Sequence, residues 1–126
     1  MVLRTPILML LRKKLYMSKR SEQLLLADII QSAQKILDYT TNLTFEEFID
    51  DSRTVDAVVR NFEIIGEAAN RLSEKFRDQH TTIDWHIIRS FKNRIVHDYF
   101  AIDYSIVWQI KENFLTHLIA QILDIS

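Results

Sequence analysis

The stretch DSRTVDAVVRNFEIIGEAANRLSEKF, residues 51–76, carries apolar side chains at Val55, Val58, Phe62, Ile65, Ala69, Leu72 and Phe76. Every step is three or four residues, the spacing of one helix face. Asp51-Ser52 offers an N-cap for this long helix. Gly66 lies inside it, where glycine costs about 1 kcal/mol relative to alanine. A close helix crossing at Gly66 is the expected compensation. Arg53, Asp56, Arg60, Glu63, Glu67 and Asn70 fall off the apolar seam and read as a solvated face.

Working outward, the preceding segment predicts another long helix over roughly Ser18 to Thr40, with Leu25, Leu26, Ile29, Ile30, Ala33, Ile36 and Leu37 on one stripe. Thr40-Thr41-Asn42 reads as a polar turn. Thr44 to Glu47 has the form of a capping box, so a short helix through about Asp50 follows. Downstream, Arg77 to Thr82 reads as a connector. Asp84 can cap a third helix carrying Trp85, Ile88, Phe91 and Ile95. Asp103 can cap a fourth with Val107, Ile110, Phe114, Leu118 and Ile122, on whose apolar side His117 reads as a core histidine. His80 and His86 have no partner at metal-ligand spacing and read as surface or structural residues.

The composition supports this reading. A chain of 126 residues, 48% hydrophobic and 26% charged, fits one globular domain long enough to bury a core. One glycine and one proline exclude glycine-cluster phosphate loops and the turn glycines of β-rich folds. They favour helices with short polar connections. The expected fold is all-α, an antiparallel up-down four-helix bundle with a short extra helix. The chain has no cysteine, which removes disulfides and thiolate metal sites and fits a reducing compartment. A net charge of −1 gives no global field for nucleic acid, so any such site is a local patch.

Residues 1–16 differ from the rest. Pro6 to Leu11 is an apolar run followed by Arg12-Lys13-Lys14, too short to span a bilayer and without a signal-peptide cleavage pattern. Met17 opens a clean polar helix start. The expected division is therefore an N-terminal extension over 1–16 and the helical domain over 17–126. A membrane-surface or partner-binding helix is the alternative for the extension.

The concentrated chemistry lies in Phe91-Lys92-Asn93-Arg94-Ile95-Val96-His97-Asp98-Tyr99-Phe100. His97 can exchange a proton near neutral pH. Lys92 and Arg94 can hold a phosphate, and Tyr99 offers a hydroxyl. On a continuous helix Asn93 and His97 share a face, with Arg94 beside His97. Such a group suits metal-free RNA cleavage, in which a base takes the 2′-hydroxyl proton and a cation stabilises the charge at phosphorus. One histidine does not readily serve as both base and acid, which points to a second copy across a two-fold axis. The plainer reading is a helix C-terminus whose cations offset the macrodipole.

Three blocks, residues 59–72, 93–100 and 102–108, resemble the HepT family of HEPN-domain proteins, in the same order and across roughly Met17 to Leu123. The resemblance implies a cytoplasmic ribonuclease toxin without cofactor or metal. It implies a homodimer whose cleft lies between two bundles, acting on RNA, with tRNA the implied class. It further implies a type VII-like pairing with an MntA-like minimal nucleotidyltransferase antitoxin, in a hetero-oligomer, which transfers AMP to the tyrosine of an Arg-x4-6-His-x-Tyr motif. Mapped here, the histidine is His97 and the tyrosine Tyr99. Lys92 stands where the motif has arginine and lacks its planar fork. Arg94 lies too near His97 for that spacing and Arg89 one residue too far; the departure implies either weakened activity or Arg89 or Arg94 taking over the role. The catalytic set implied is His97, Lys92, Arg94 and Asn93, with Arg89, Asp98 and Glu67 in support. The alternative is an inactive helical subunit that binds the nucleotidyltransferase or nucleotides.

Overall fold

The computed structural model describes residues 21–96 and 101–126. Among the described residues there are eight helices and no strand. They are α1 (Glu22–Tyr39), α2 (Phe45–Asp50), α3 (Ser52–Arg71), α4 (Glu74–Gln79), α5 (Trp85–Arg89), α6 (Phe91–Ile95), α7 (Tyr104–Asn113) and α8 (Leu115–Ile125). The N-terminal extension over 1–16, Met17 and the expected first turn from Ser18 lie outside the described residues. No helix among those described is long and apolar enough to cross a membrane.

Local side chains explain most of the helix starts. Six of the eight helices have a Ser, Thr or Asp at the N-cap whose oxygen accepts from an amide of the first turn: Ser21, Thr44, Asp51, Ser73, Asp84 and Asp103. The expected capping box is present, with Thr44 and Glu47 each accepting the other's amide at 3.1 Å. Asp51 accepts the Thr54 hydroxyl at 2.7 Å and the Thr54 amide at 3.1 Å. The Thr54 hydroxyl, then its amide, hold the Asp51 carboxyl below its usual value. This cap therefore contributes above the unfolded carboxylate's pKa and is lost as pH falls through the lowered folded value. At the other end of α3, the Arg77 guanidinium donates to the carbonyls of Ala69, Asn70 and Leu72 and satisfies groups the helix leaves open.

The α3 seam is the middle of the core. Val55, Val58, Phe62, Ile65, Ala69 and Leu72 are buried, as are Leu25, Leu26, Ile29, Ala33 and Ile36 of α1. α3 packs against α1, α2, α5 and α6, and α1 also packs on α8. Phe62, Phe91 and Phe114 form an edge-to-face series, with centroids 5.3 Å and 5.8 Å apart. This series ties α3 to α6 and to the junction of α7 with α8.

The all-α class holds, while three of the expected long helices are interrupted. The α3 helix ends at Arg71, and Ser73 caps a separate short helix, α4, which carries Phe76 and the first half of the expected connector, Arg77 to Gln79. The third breaks at Ser90 and the fourth at Phe114. Beyond Phe114 the buried stripe is Leu115, Leu118 and Ile122, so His117 is exposed and not a core histidine. Successive residues turn by about 100°, which puts His117 off the side that Leu115 and Leu118 share. His80 is structural: its ring lies 4.5 Å from that of Phe76 and its carbonyl accepts the Trp85 indole N–H at 3.0 Å.

Phe62 is fully buried and packs edge-on to Phe91 of α6, so Phe62→Ala is expected to lower stability by about 3–5 kcal/mol in denaturant titration. A loss below about 1 kcal/mol would contradict this packing.

Candidate functional site

The residues ahead of His97 are set by two five-residue helices joined at Ser90. The Ser90 hydroxyl donates to the Ile87 carbonyl at 2.7 Å, and its amide donates to the His86 and Ile87 carbonyls. A serine hydroxyl that bonds back into the preceding turn competes with helix continuation. The Ser90 carbonyl then accepts the Arg94 amide at 3.0 Å and starts α6. Trp85, Ile88, Phe91 and Ile95 point into the core. His86, Arg89, Lys92, Asn93 and Arg94 are left on the exposed side. Phe91, held edge-on by Phe62 and Phe114, fixes where Lys92 and Asn93 emerge.

The expected close crossing is at Gly66. A Cβ on Gly66 would stand 3.3 Å from the Ile88 carbonyl oxygen and 3.8 Å from that of Arg89. Glycine thus lets the α5 backbone lie directly on α3. One turn along α3, the Asn70 side-chain carbonyl accepts from Arg89 Nε at 3.1 Å. That bond orients the guanidinium and uses one of its N–H donors.

A cleft of about 550 Å³ opens along this crossing. One wall is the α3 face Glu63, Gly66, Glu67 and Asn70. The other is His86, Arg89, Ser90, Lys92 and Asn93. Glu63 lies 3.8 Å from Arg60 and Glu67 3.4 Å from Arg71. Exposed pairs of this kind contribute little stability, about 0–1 kcal/mol, but they hold the carboxylates on their own wall. The cleft therefore has cations facing carboxylates. An anion such as a phosphodiester fits the Arg89–Lys92 side. Base amino groups or ribose hydroxyls fit the Glu63–Glu67 side as donors to carboxylate.

Of the residues expected from sequence, Lys92, Asn93, Arg89 and Glu67 come together in this cleft. Arg94 is exposed on α6 and is not among its lining residues. His97, Asp98 and Tyr99 lie outside the described residues. Before them, α6 ends at Ile95 and Val96 is extended at φ −111°, ψ 108°. The expected shared face of Asn93 and His97, and the i,i+3 neighbourhood of Arg94 and His97, fall on these undescribed residues. Val96 instead pairs with Ile102 in an isolated antiparallel bridge, and the Asp103 amide donates to the Ile95 carbonyl at 2.7 Å. The described residues Val96, Ile102 and Asp103 are thereby held together at the end of α6. Among the described residues no three His, Asp or Glu side chains gather where they could hold a metal ion.

The sequence reading left Glu63, Asn70 and Gly66 as a solvated face and a packing position, and set His86 aside. The available signal was the α3 spacing 63, 66, 67 and 70. It puts two carboxylates and an amide around the one glycine of the chain, on a face that an incoming helix must approach.

Compared with known proteins, residues 29–125 match the family model described as ribonuclease HepT-like. A Methanocaldococcus jannaschii protein provisionally named as an RNase is 35% identical over 86% of this chain and 90% of its own. A Thermococcus cleftensis protein named probable ribonuclease HepT is 34% identical over 75% of this chain and 87% of its own. A Caldanaerobacter subterraneus protein, again provisionally named as an RNase, is 33% identical over 67% and 75%. No solved structure matches the chain.

Gly66→Ala is expected to destabilise the fold by about 1–2 kcal/mol, since the gain in helix propensity is smaller than the cost of displacing a carbonyl in a packed crossing. Thermal melting checks this. A rise in melting temperature for Gly66→Ala would show that α5 yields freely and that the crossing is loose.

Proposed function

This chain belongs to the ribonuclease HepT-like family, and from that membership we propose that it is a metal-independent endoribonuclease, the toxin of a type VII-like toxin–antitoxin pair. The observation that carries the reading is the placing of Arg89, Lys92 and Asn93 in one cleft at the start of the segment that bears His97. Arg89 and Lys92 bind the phosphodiester and offset the charge that builds at phosphorus. His97 takes the proton of the ribose 2′-hydroxyl, whose oxygen then attacks phosphorus. The P–O5′ bond breaks, leaving a 2′,3′-cyclic phosphate and a 5′-hydroxyl. Asn93 serves as a neutral donor to a phosphate oxygen.

The departure at Lys92 bears on activity. A lysine holds phosphate as a point charge, without the bidentate fork of arginine. Arg89, oriented by Asn70 in the same cleft, supplies that fork. Arg94 is the poorer substitute, since it does not line the cleft. This observation favours the active enzyme over an inactive nucleotide- or partner-binding subunit. The chain acts as a homodimer on tRNA, and a cognate minimal nucleotidyltransferase silences it in a hetero-oligomer by adenylylating Tyr99. The added phosphate repels RNA and the nucleoside obstructs its entry.

The test is cleavage of total RNA by the pure protein in chelator, repeated with the partner and ATP. Cleavage should fall at least about 100-fold in His97→Ala. The partner should add one adenylyl mass to the peptide containing Tyr99 and stop cleavage, while Tyr99→Phe escapes. A pure protein that leaves RNA intact would leave the subunit reading in its place. Silencing without added mass would replace adenylylation with steric inhibition.

A further inference from the structure

We infer that Asn70 is a positioning residue for RNA cleavage: it holds the Arg89 guanidinium by Nε, so that the end-on pair of amino groups, Nη1 and Nη2, is the fork left for a phosphodiester. This inference rests on the ribonuclease reading and deepens it, by naming the group that sets the clamp.

Arg89 is the one guanidinium among the described residues lining the cleft, and Lys92 beside it is a point charge. A guanidinium can grip two phosphate oxygens by either of two edges: Nε with one amino group, or the two amino groups together. Asn70 Oδ1 accepts from Arg89 Nε at 3.1 Å, so the first edge is taken. Nε carries a hydrogen and only donates, which requires the oxygen of the Asn70 amide to face it. The cleft carboxylates are engaged elsewhere, Glu63 with Arg60 at 3.8 Å and Glu67 with Arg71 at 3.4 Å.

Both ends of this bond are anchored. Asn70 is the penultimate residue of α3. Its carbonyl and that of Ala69 accept from the Arg77 guanidinium at 3.4 Å and 3.1 Å. Arg89 closes α5, whose carbonyls at Ile88 and Arg89 lie 3.3 Å and 3.8 Å from the place of a Cβ on Gly66. The bond therefore joins residues 19 apart in sequence across two backbones held close together. An exposed arginine ordinarily gives up its rotamer freedom only when it meets a ligand. A tethered one has given up part of it beforehand, and its fork is in place as charge builds at phosphorus. Without the tether the charge stays in the cleft and still attracts RNA, but its aim is lost. The loss therefore falls on kcat and spares KM.

The experiment compares the parent protein with Asn70→Ala, Arg89→Lys and the double variant, in RNA cleavage and in the Arg89 Nε–H resonance of the free protein, identified by its absence in Arg89→Lys. All four proteins should melt within about 3 °C of one another, because both side chains are exposed. Asn70→Ala should lower kcat about 10- to 100-fold with KM within about threefold. It should also lose the Nε–H signal to exchange with water. In the Arg89→Lys background, itself slowed, Asn70→Ala should change kcat by less than about twofold, since lysine has no Nε–H to hold. Equal losses in both backgrounds would mean that Asn70 acts without Arg89 and would overturn the inference. A rise in KM at unchanged kcat would make Asn70 a binding residue and overturn it too. So would full activity in Arg89→Lys, or an Nε–H signal unchanged in Asn70→Ala. A parent protein that leaves RNA intact while the Nε–H signal behaves as expected would overturn the ribonuclease reading itself, and the role in cleavage with it.

Discussion

The contact on which the site depends is the crossing of α3 and α5 at Gly66. With no Cβ there, the carbonyls of Ile88 and Arg89 can lie against α3. The buried faces of α5 and α6, from Trp85 to Ile95, then reach the α3 seam. Because those faces are turned inward, His86, Arg89, Lys92 and Asn93 are turned outward along the same edge. The Phe62–Phe91–Phe114 series fixes α6 from beneath, and the Arg89–Asn70 hydrogen bond fixes α5 from above. Packing in the core thus places polar groups at the surface, and the cost of glycine within a helix is offset by the close approach it allows.

Much of this architecture could be read from sequence because it rests on local rules. The seam of α3 and the stripe of α1 are periodic over many turns, and both are buried as expected. The caps at Thr44, Asp51, Asp84 and Asp103 are side-chain to amide bonds three residues long, which a sequence displays directly. The breaks at Ser90 and Phe114 were not legible. A serine in an apolar pattern is compatible with a continuous helix, and only tertiary packing decides whether its hydroxyl turns back on Ile87. At Phe114 the ring packs edge-on to Phe91, and the stripe beyond it moves to Leu115 and Leu118. His117 was misplaced for that reason.

The site was legible in composition and not in geometry. The run from Lys92 to Tyr99 holds the titratable and cationic groups, yet a helical reading of it fails at Val96, where the backbone becomes extended and pairs with Ile102. The opposite wall of the cleft comes from α3, some twenty-five residues earlier by sequence position. Glu63 and Asn70 come to face Arg89 and Lys92 only when α5 is laid across Gly66. A mildly acidic chain can still hold RNA under these conditions, since the field that matters is that of Arg89 and Lys92 within one cleft and not the net charge.

The central claim is that RNA occupies the cleft between α3 and the α5–α6 pair. Amide chemical-shift mapping with a 2′-O-methyl oligoribonucleotide, which binds but cannot be cut, tests it most directly. The account predicts that the largest shifts fall on Gly66, Asn70, Arg89, Lys92 and Asn93, and that they weaken as salt is raised. Shifts concentrated on the groove of Arg77, Asp78 and Thr82, or on the outer face of α1, with these five residues unmoved, would contradict it.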